Sequence, residues 1–204
     1  MLAALPVSVG DAAGARMPTP YHRAVPTPDP RIKLRAATRS DIPAIAAMHL
    51  ASWQATYASI TVPAFMRTIT LDGRIKRWEG AFESETTETT VAVDGPLVLG
   101  VCSFGPRGEP VDASAGEIYS LHVGPDSLRT GLGRMLLDDA LVRLQARGFS
   151  EAFLWVLTLN ANARAFYEAR GWSRTGEERI DDRSGFPIAE VRYAIRISVL
   201  ANAP

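Results

Sequence analysis

A glycine-rich turn is the part of the sequence whose residue types most clearly suggest chemistry. Residues 129–134 read Arg-Thr-Gly-Leu-Gly-Arg and lie between a strand-like and a helix-like segment. The first N–H groups of a helix have no partner within it, and the helix dipole adds positive potential there. Glycines let an anion approach the backbone, and Arg129 and Arg134 add charge on either side. The turn is therefore a candidate phosphate site, although glycines that only turn the chain into a helix fit the same pattern.

Two common phosphate-binding fingerprints do not fit this turn. A dinucleotide fingerprint needs a third glycine, and the chain has Leu136 at that position. A P-loop needs lysine and then serine or threonine after its last glycine, whereas Gly133 is followed by Arg134 and Met135. The turn alone leaves the identity of the ligand open.

The composition limits the classes of protein that fit. Lys plus Arg and Asp plus Glu both number 22 among 204 residues, so the formal net charge is zero. Nucleic-acid-binding proteins usually show a basic excess or stripe, and none is visible, so no nucleic-acid partner is expected. No apolar run approaches the roughly 20 residues of a membrane-spanning helix, so no membrane partner is expected either. The single cysteine, Cys102, excludes a disulfide within the chain and predicts a cytoplasmic location.

Hydrophobic periodicity predicts an α/β (α+β) fold. The predicted elements, in chain order, are a strand at residues 32–37, a helix after Pro43, a helix at 71–82, strands at 89–93, 97–104 and 117–123, a helix at 131–147, a strand at 153–157, a helix at 162–170 and a strand at 190–197. This order indicates a mixed sheet covered by helices. Residues 1–30 are rich in Ala, Gly and Pro, a composition that predicts a flexible arm. Residues 31–204 are expected to form a single domain.

Two segments together resemble the GCN5-related N-acetyltransferase (GNAT) superfamily. Residues 117–137, which contain the strand, the turn and the helix start, resemble its central motif. Residues 160–172 resemble its Asn-x-x-Ala-x-x-Phe-Tyr-Glu-x-x-Gly-Phe/Trp helix. The resemblance spans residues 32–197 and implies an acyl-CoA N-acyltransferase fold with a mostly antiparallel central sheet flanked by helices. One departure is Leu128, which stands where the family usually has a polar residue.

The resemblance also implies a cofactor site for acetyl-CoA. Its acyl-pantetheine arm is expected in a gap between the strands at 117–123 and 153–157, paired like an extra strand. The side chain of His122 should alternate away from its neighbours, which favours a structural role for it. The implied cofactor-binding residues are Leu121, His122, Val123, Arg129, Thr130, Gly131, Leu132, Gly133, Arg134, Asn160, Phe166 and Tyr167.

Two residues match the family's catalytic positions. Glu117 stands where several members carry a general base, and Tyr167 where they carry the general acid for the departing thiolate. The alternatives are a surface glutamate at a strand end and a helix aromatic in the core. Trp53 and Tyr57, with Glu117, are expected at the acceptor site, although core packing also explains them. Residues 184–187 are a candidate lid.

The hypothesis from sequence is an acetyl-CoA-dependent N-acetyltransferase that acts on a primary amine of a small molecule or peptide. Transfer would occur by direct attack in a ternary complex. The alternative is a catalytically degenerate domain that binds acyl-CoA for regulation. The three histidines and one cysteine form no metal-ligand pattern, so no metal is expected. A homodimer is compatible with the resemblance.

Overall fold

The computed structural model describes residues 29–57, 62–106, 114–182 and 187–197. Its strands are β1 (Lys33–Ala36), β2 (Glu88–Asp94), β3 (Leu97–Pro106), β4 (Ala115–Val123), β5 (Glu151–Leu157), β6 (Ser173–Asp181) and β7 (Ile188–Arg196). Its helices are α1 (Ile42–Tyr57), α2 (Pro63–Thr68), α3 (Leu71–Ala81), α4 (Leu132–Ala146) and α5 (Ala161–Glu168). All ten predicted elements are confirmed, and two further elements join them.

The described strands form one sheet in the order β1-β2-β3-β4-β5-β7-β6. Every neighbouring pair is antiparallel except β4 and β5, which run parallel. Helices α1 and α3 pack on one face of the sheet, and α4 and α5 pack on the other. The expected mixed, mostly antiparallel sheet flanked by helices is confirmed.

Each face of the sheet buries its own apolar layer. Successive residues of a strand point to opposite faces, so Val101 packs towards α1 and Cys102 towards α4. On α4 a four-residue spacing brings four side chains onto the sheet, and all are at most 1% exposed: Leu132, Leu136, Ala140 and Leu144. This ridge fixes the position of the N-terminus of α4 against the ends of β3 and β4.

Strand β4 is irregular at its middle and separates from β5 beyond it. Its register with β3 shifts so that Ser120 pairs with Ser103 and Ile118 with Phe104, which leaves Tyr119 as the extra residue of a β-bulge. Parallel pairing with β5 covers only residues 115–118. From Tyr119 onwards β4 pairs with β3 alone, so a gap opens between β4 and β5.

The two elements not predicted lack a strong hydrophobic pattern. β6 reads Ser-Arg-Thr-Gly-Glu-Glu-Arg-Ile-Asp and lies at the sheet edge, where it pairs only with β7. Most of its side chains are exposed, so backbone pairing rather than burial defines it. α2 has only six residues and begins at Pro63, too short for helical periodicity to show.

Two predicted segments lie wholly or mostly outside the described residues. These are the arm at residues 1–30, of which only Asp29 and Pro30 are described, and the lid at 184–187, of which only Pro187 is described. Within the described ranges, no helix is long and apolar enough to cross a membrane.

Candidate active site

The backbone of β4 presents hydrogen-bonding groups to the gap. The Gly124 N–H donates to the Leu99 carbonyl at 2.8 Å, so these two residues are a hydrogen-bonded pair of the β3–β4 ladder. Antiparallel ladders alternate between bonded and non-bonded pairs, so Val123 and Leu121 belong to non-bonded pairs. Their N–H and C=O groups therefore point away from β3, into the gap that β5 does not fill.

The turn before α4 presents a series of unpaired amides. Among the described residues, no acceptor receives the N–H groups of residues 129–134. Gly131 precedes α4 with φ 89°, and Arg129 has φ 62°, a left-handed conformation that a non-glycine residue seldom adopts. Thr130 fixes the loop by donating its hydroxyl to the Ser127 carbonyl at 2.8 Å. The turn has the free donors that a phosphate group requires.

The side chains around the turn tie it to the gap. A Cβ built on Gly133 would lie 3.6 Å from both the Phe166 ring and Val123 Cγ2, so these three residues are neighbours. Arg134 was expected to add positive charge beside the turn. Its Nε donates to Asp138 at 3.1 Å, so part of this charge is neutralised by an ion pair. Arg129 is exposed and makes no ion pair with a described residue, and Leu128 is 49% exposed.

One stripe of α5 faces the gap. Asn160, Ala163 and Tyr167 are spaced three and four residues apart, which places them on one side of the helix, and all three line a cavity. Tyr167 is 8% exposed, and its hydroxyl makes no hydrogen bond to a described residue. Burial raises the pKa of Tyr167, so its phenol keeps its proton at neutral pH.

Asn160 links α5 to α1. Its Oδ1 caps α5 by accepting the Ala163 N–H at 3.1 Å, and its Nδ2 donates to the Tyr57 hydroxyl at 3.2 Å. The amide oxygen therefore caps the helix, whereas a contact of this amide with a cofactor stays a prediction. Tyr57 in turn packs on Trp53, with ring centroids 4.3 Å apart.

A cavity of about 510 Å³ brings seven of the fifteen predicted site residues together. This volume lies in the range of small-molecule sites. The predicted residues that line it are Trp53, Tyr57, Glu117, Leu121, His122, Asn160 and Tyr167. The turn at residues 129–134, with Val123 and Phe166, lies beside the cavity rather than in its wall. The predicted site therefore divides into a turn with unpaired amides and an adjoining cavity.

Two histidines stack in the wall of this cavity, on the α1 side of β4. His122 and His49 have ring centroids 3.8 Å apart, and His49 Nδ1 accepts the Trp78 indole N–H at 3.1 Å. Burial lowers the pKa of His122 to about 3 and that of His49 well below its usual value, with nearby Arg74 and Arg77 adding to both shifts. Both imidazoles are neutral at pH 7. The His122 side chain does alternate away from Leu121 and Val123, as expected.

The other residues of the cavity could hardly be predicted from the sequence alone. Arg74 and Arg77 on α3 line it, as do Arg179 and Glu190, which pair at 2.7 Å on β6 and β7. β6 was not predicted, so Arg179 could not be placed. A weak indication did exist for α3, since Arg74 precedes the buried Trp78 by four residues and so lies on the same side of the helix.

Cys102 lies in the core rather than in the site. It is 0% exposed, and burial raises the pKa of its thiol. Within the described ranges, no group of three or more His, Cys, Asp or Glu side chains is arranged to hold a metal ion.

The chain is similar to known acetyltransferases. The model of the acetyltransferase (GNAT) family matches residues 49–172. YuaI, an uncharacterized N-acetyltransferase of Bacillus subtilis (strain 168), is 31% identical over 163 residues, which are 79% of this chain and 88% of that protein.

Two solved structures share the fold. A GCN5-related N-acetyltransferase from Rhodopseudomonas palustris has a TM-score of 0.65 at 19% identity, over 86% of this chain and 99% of that one. The PaiA N-acetyltransferase from Thermoplasma acidophilum, solved in complex with coenzyme A, has a TM-score of 0.59 at 16% identity, over 81% of this chain and 98% of that one.

The chain belongs to the GNAT family of acetyltransferases, because the family model matches more than half of it and a relative is 31% identical over most of both chains. It is therefore an acyltransferase, as the sequence motifs implied.

Proposed function

We propose that the protein transfers the acetyl group of acetyl-CoA to a primary amine of a small molecule or peptide. The observation that carries this proposal is the gap between β4 and β5, with unpaired backbone groups on one side and the Tyr167 hydroxyl beside it. The gap leads from the turn at residues 129–134, which has amides for the diphosphate, to the cavity that holds the acceptor.

Each group of the site has a task in this reaction. The Leu121 and Val123 backbone pairs with the pantetheine arm, and the Val123 N–H faces the thioester carbonyl, where it stabilises developing negative charge. Glu117 accepts a proton from the amine, directly or through water. The amine nitrogen attacks the carbonyl carbon, the carbon–sulfur bond breaks, and Tyr167 donates its proton to the leaving thiolate.

Direct transfer fits the site better than an acetyl-enzyme on cysteine. Cys102 is the only cysteine of the chain, and it is fully buried with a raised thiol pKa. A nucleophilic cysteine needs an accessible thiolate, and Cys102 offers neither access nor a thiolate. The amine and acetyl-CoA therefore bind together.

A thiol-release assay with a panel of primary amines tests the proposal, with mass spectrometry of the products. Expected is CoA release above the hydrolysis background together with an acetylated amine. Binding of acetyl-CoA without release across the panel would instead support the degenerate binding domain, which the departure at Leu128 favours.

Gly133→Ala separates stability from cofactor binding. The added methyl group meets Phe166 and Val123 at an ordinary 3.6 Å, and alanine favours a helix over glycine by about 0.5–1 kcal/mol. We therefore expect an unchanged or slightly higher free energy of unfolding. The KM for acetyl-CoA should rise by about tenfold or more, because the methyl group weakens a charge-assisted hydrogen bond of about 1.5–3 kcal/mol.

Gly80→Ala is the matched control for this variant. Gly80 lies in α3, and a Cβ there meets nothing within 4 Å. It should gain similar stability with no change in KM. Equal KM values for both variants and the wild type would show that the diphosphate does not approach Gly133.

Arg129 allows backbone strain and charge to be separated. A residue other than glycine in the left-handed conformation destabilises the fold by about 1–2 kcal/mol. A glycine there avoids this strain but lowers stability by about 0.4–1 kcal/mol, because it increases the conformational entropy of the unfolded chain. Arg129→Gly should therefore raise the free energy of unfolding by up to about 1.6 kcal/mol, whereas Arg129→Ala keeps the strain and stays near the wild type. Both variants should raise the KM for acetyl-CoA, less so at high salt. Chemical denaturation and kinetics at two salt concentrations measure this, and a clear loss of stability in Arg129→Gly contradicts the strain.

A further inference from the structure

Arg74 is a partly buried cation without an anion. Its guanidinium makes no hydrogen bond or ion pair among the described residues, and its Nε is buried without a hydrogen-bond partner. It lies over the Trp53 ring, 4.8 Å from the centroid, and lines the cavity. Burial, with Arg77 nearby, lowers its pKa to about 10, so Arg74 stays charged at neutral pH. Charged groups taken out of water are normally paired, so this one calls for a partner.

Two other side chains near Arg74 also have hydrogen-bond donors without an acceptor. The indole N–H of Trp53 is buried and has no acceptor among the described residues. His49 carries its proton on Nε2, because Nδ1 accepts from Trp78, and Nε2 is also buried without a partner. His49 is 1% exposed and lines the same cavity. The side chains of Arg74, Trp53 and His49 are neighbours, and each has an N–H donor without a hydrogen-bond acceptor.

Arg179 and Glu117 are charged groups in other parts of the cavity, and they differ from Arg74. Arg179 is already paired with Glu190 and lies over the Trp155 ring. Glu117, on β4, supplies a carboxylate that attracts an ammonium group. The cavity therefore combines a carboxylate on β4 with a cation on α3 that has no described anion.

We propose that Arg74 binds an anionic group of the acceptor, so that the acceptor is a small zwitterion with an amine and a carboxylate or phosphate in one molecule. The amine lies at Glu117 and the anion at Arg74, and the walls formed by Trp53 and Phe65 hold its apolar part. This inference rests on the proposed acetyl transfer and narrows its acceptor class.

Matched acceptors test the proposal in the full-length protein. L-phenylalanine is compared with L-phenylalaninamide and 2-phenylethylamine, glycine with glycinamide, and phosphoethanolamine with ethanolamine, with each rate expressed per free amine. The wild type should show a kcat/KM at least about tenfold higher for one class of anionic acceptor, which identifies carboxylate or phosphate. Arg74→Gln should remove this preference through the acceptor KM and leave the KM for acetyl-CoA unchanged.

Two variants serve as comparisons. Arg74→Lys keeps the charge without the planar fork and should retain part of the preference. Arg67→Gln removes an exposed arginine of α2 that does not line the cavity, and it should retain all of it. Equal use of anionic and neutral members by the wild type overturns the proposal and points to an acceptor without an anionic group at this place, such as a peptide N-terminus. A preference that survives Arg74→Gln also overturns it, because another group then binds the anion.

A binding measurement separates this inference from the proposed function. In the presence of CoA, anionic members of the panel should raise the melting temperature of the wild type and not that of Arg74→Gln. Stabilisation without turnover would contradict the proposed catalysis and support the anion site. Turnover with no anion preference and no such stabilisation would support the proposed catalysis and contradict the anion site.

Discussion

Replacing Tyr167 by phenylalanine is expected to lower kcat by about 10²–10³-fold, the usual contribution of a general acid. The variant keeps the ring that packs in the core and loses only a hydroxyl that makes no described hydrogen bond. The melting temperature and both KM values should therefore stay close to those of the wild type. Steady-state kinetics with acetyl-CoA and an accepted amine measure the effect.

Tyr193→Phe is the matched control for this variant. Tyr193 is also buried in the same core, but its hydroxyl donates to Glu168 at 2.5 Å and it does not line the cavity. Its kcat should be unchanged. Because the pKa of Tyr167 is raised, the phenol stays protonated up to about pH 10. As the pH rises to that value, the wild-type kcat should therefore show no decrease from loss of this proton. A Tyr167→Phe variant with wild-type kcat would leave this tyrosine as a packing residue.

Replacing Glu117 by glutamine is expected to lower kcat/KM for the amine by about 10²–10³-fold at pH 7. A free amine is mostly protonated at this pH, and the glutamine side chain cannot accept its proton. As the pH rises towards the pKa of the amine, the substrate loses its proton without help. The ratio of wild type to variant should therefore shrink with pH, by up to about tenfold per unit.

Glu88→Gln is the control for the loss of a carboxylate. Glu88 lies on β2, pairs with Arg147 at 2.9 Å and does not line the cavity, so its removal should leave kcat/KM unchanged. A ratio between wild type and Glu117→Gln that stays constant from pH 7 to pH 10 would assign Glu117 to binding rather than to proton transfer.

Strong hydrophobic patterns made most of the fold predictable. The ridge from Leu132 to Leu144 specified α4, and short apolar runs or alternating apolar residues specified the strands other than β6. β6 could not be found in this way, because an edge strand is held by backbone pairing and its side chains need not be apolar. Its absence from the prediction also hid Arg179 and one wall of the cavity.

The site was predictable only in part, for a related reason. Motif resemblance identified Glu117 and Tyr167, and the structure places both in one cavity. Arg74 has no motif, and its position depends on the packing of α3 against α1, which brings it over Trp53. The pairing of His49 with Trp78 likewise joins residues 29 positions apart. Tertiary packing of this kind leaves no trace in local periodicity.

The short pairing between β4 and β5 divides the sheet into two panels. One panel holds β1 to β4 and the other holds β5 to β7. Among the described residues, strand pairing joins the panels only between residues 115–118 and 151–154. An acyl chain lying in the gap bonds to the edge of one panel and contacts the helix that caps the other. In the proposed reaction the cofactor would therefore hold the two panels together as well as supply the acetyl group. The proposed base lies on the first panel, and the helix that carries the proposed acid lies beside the second.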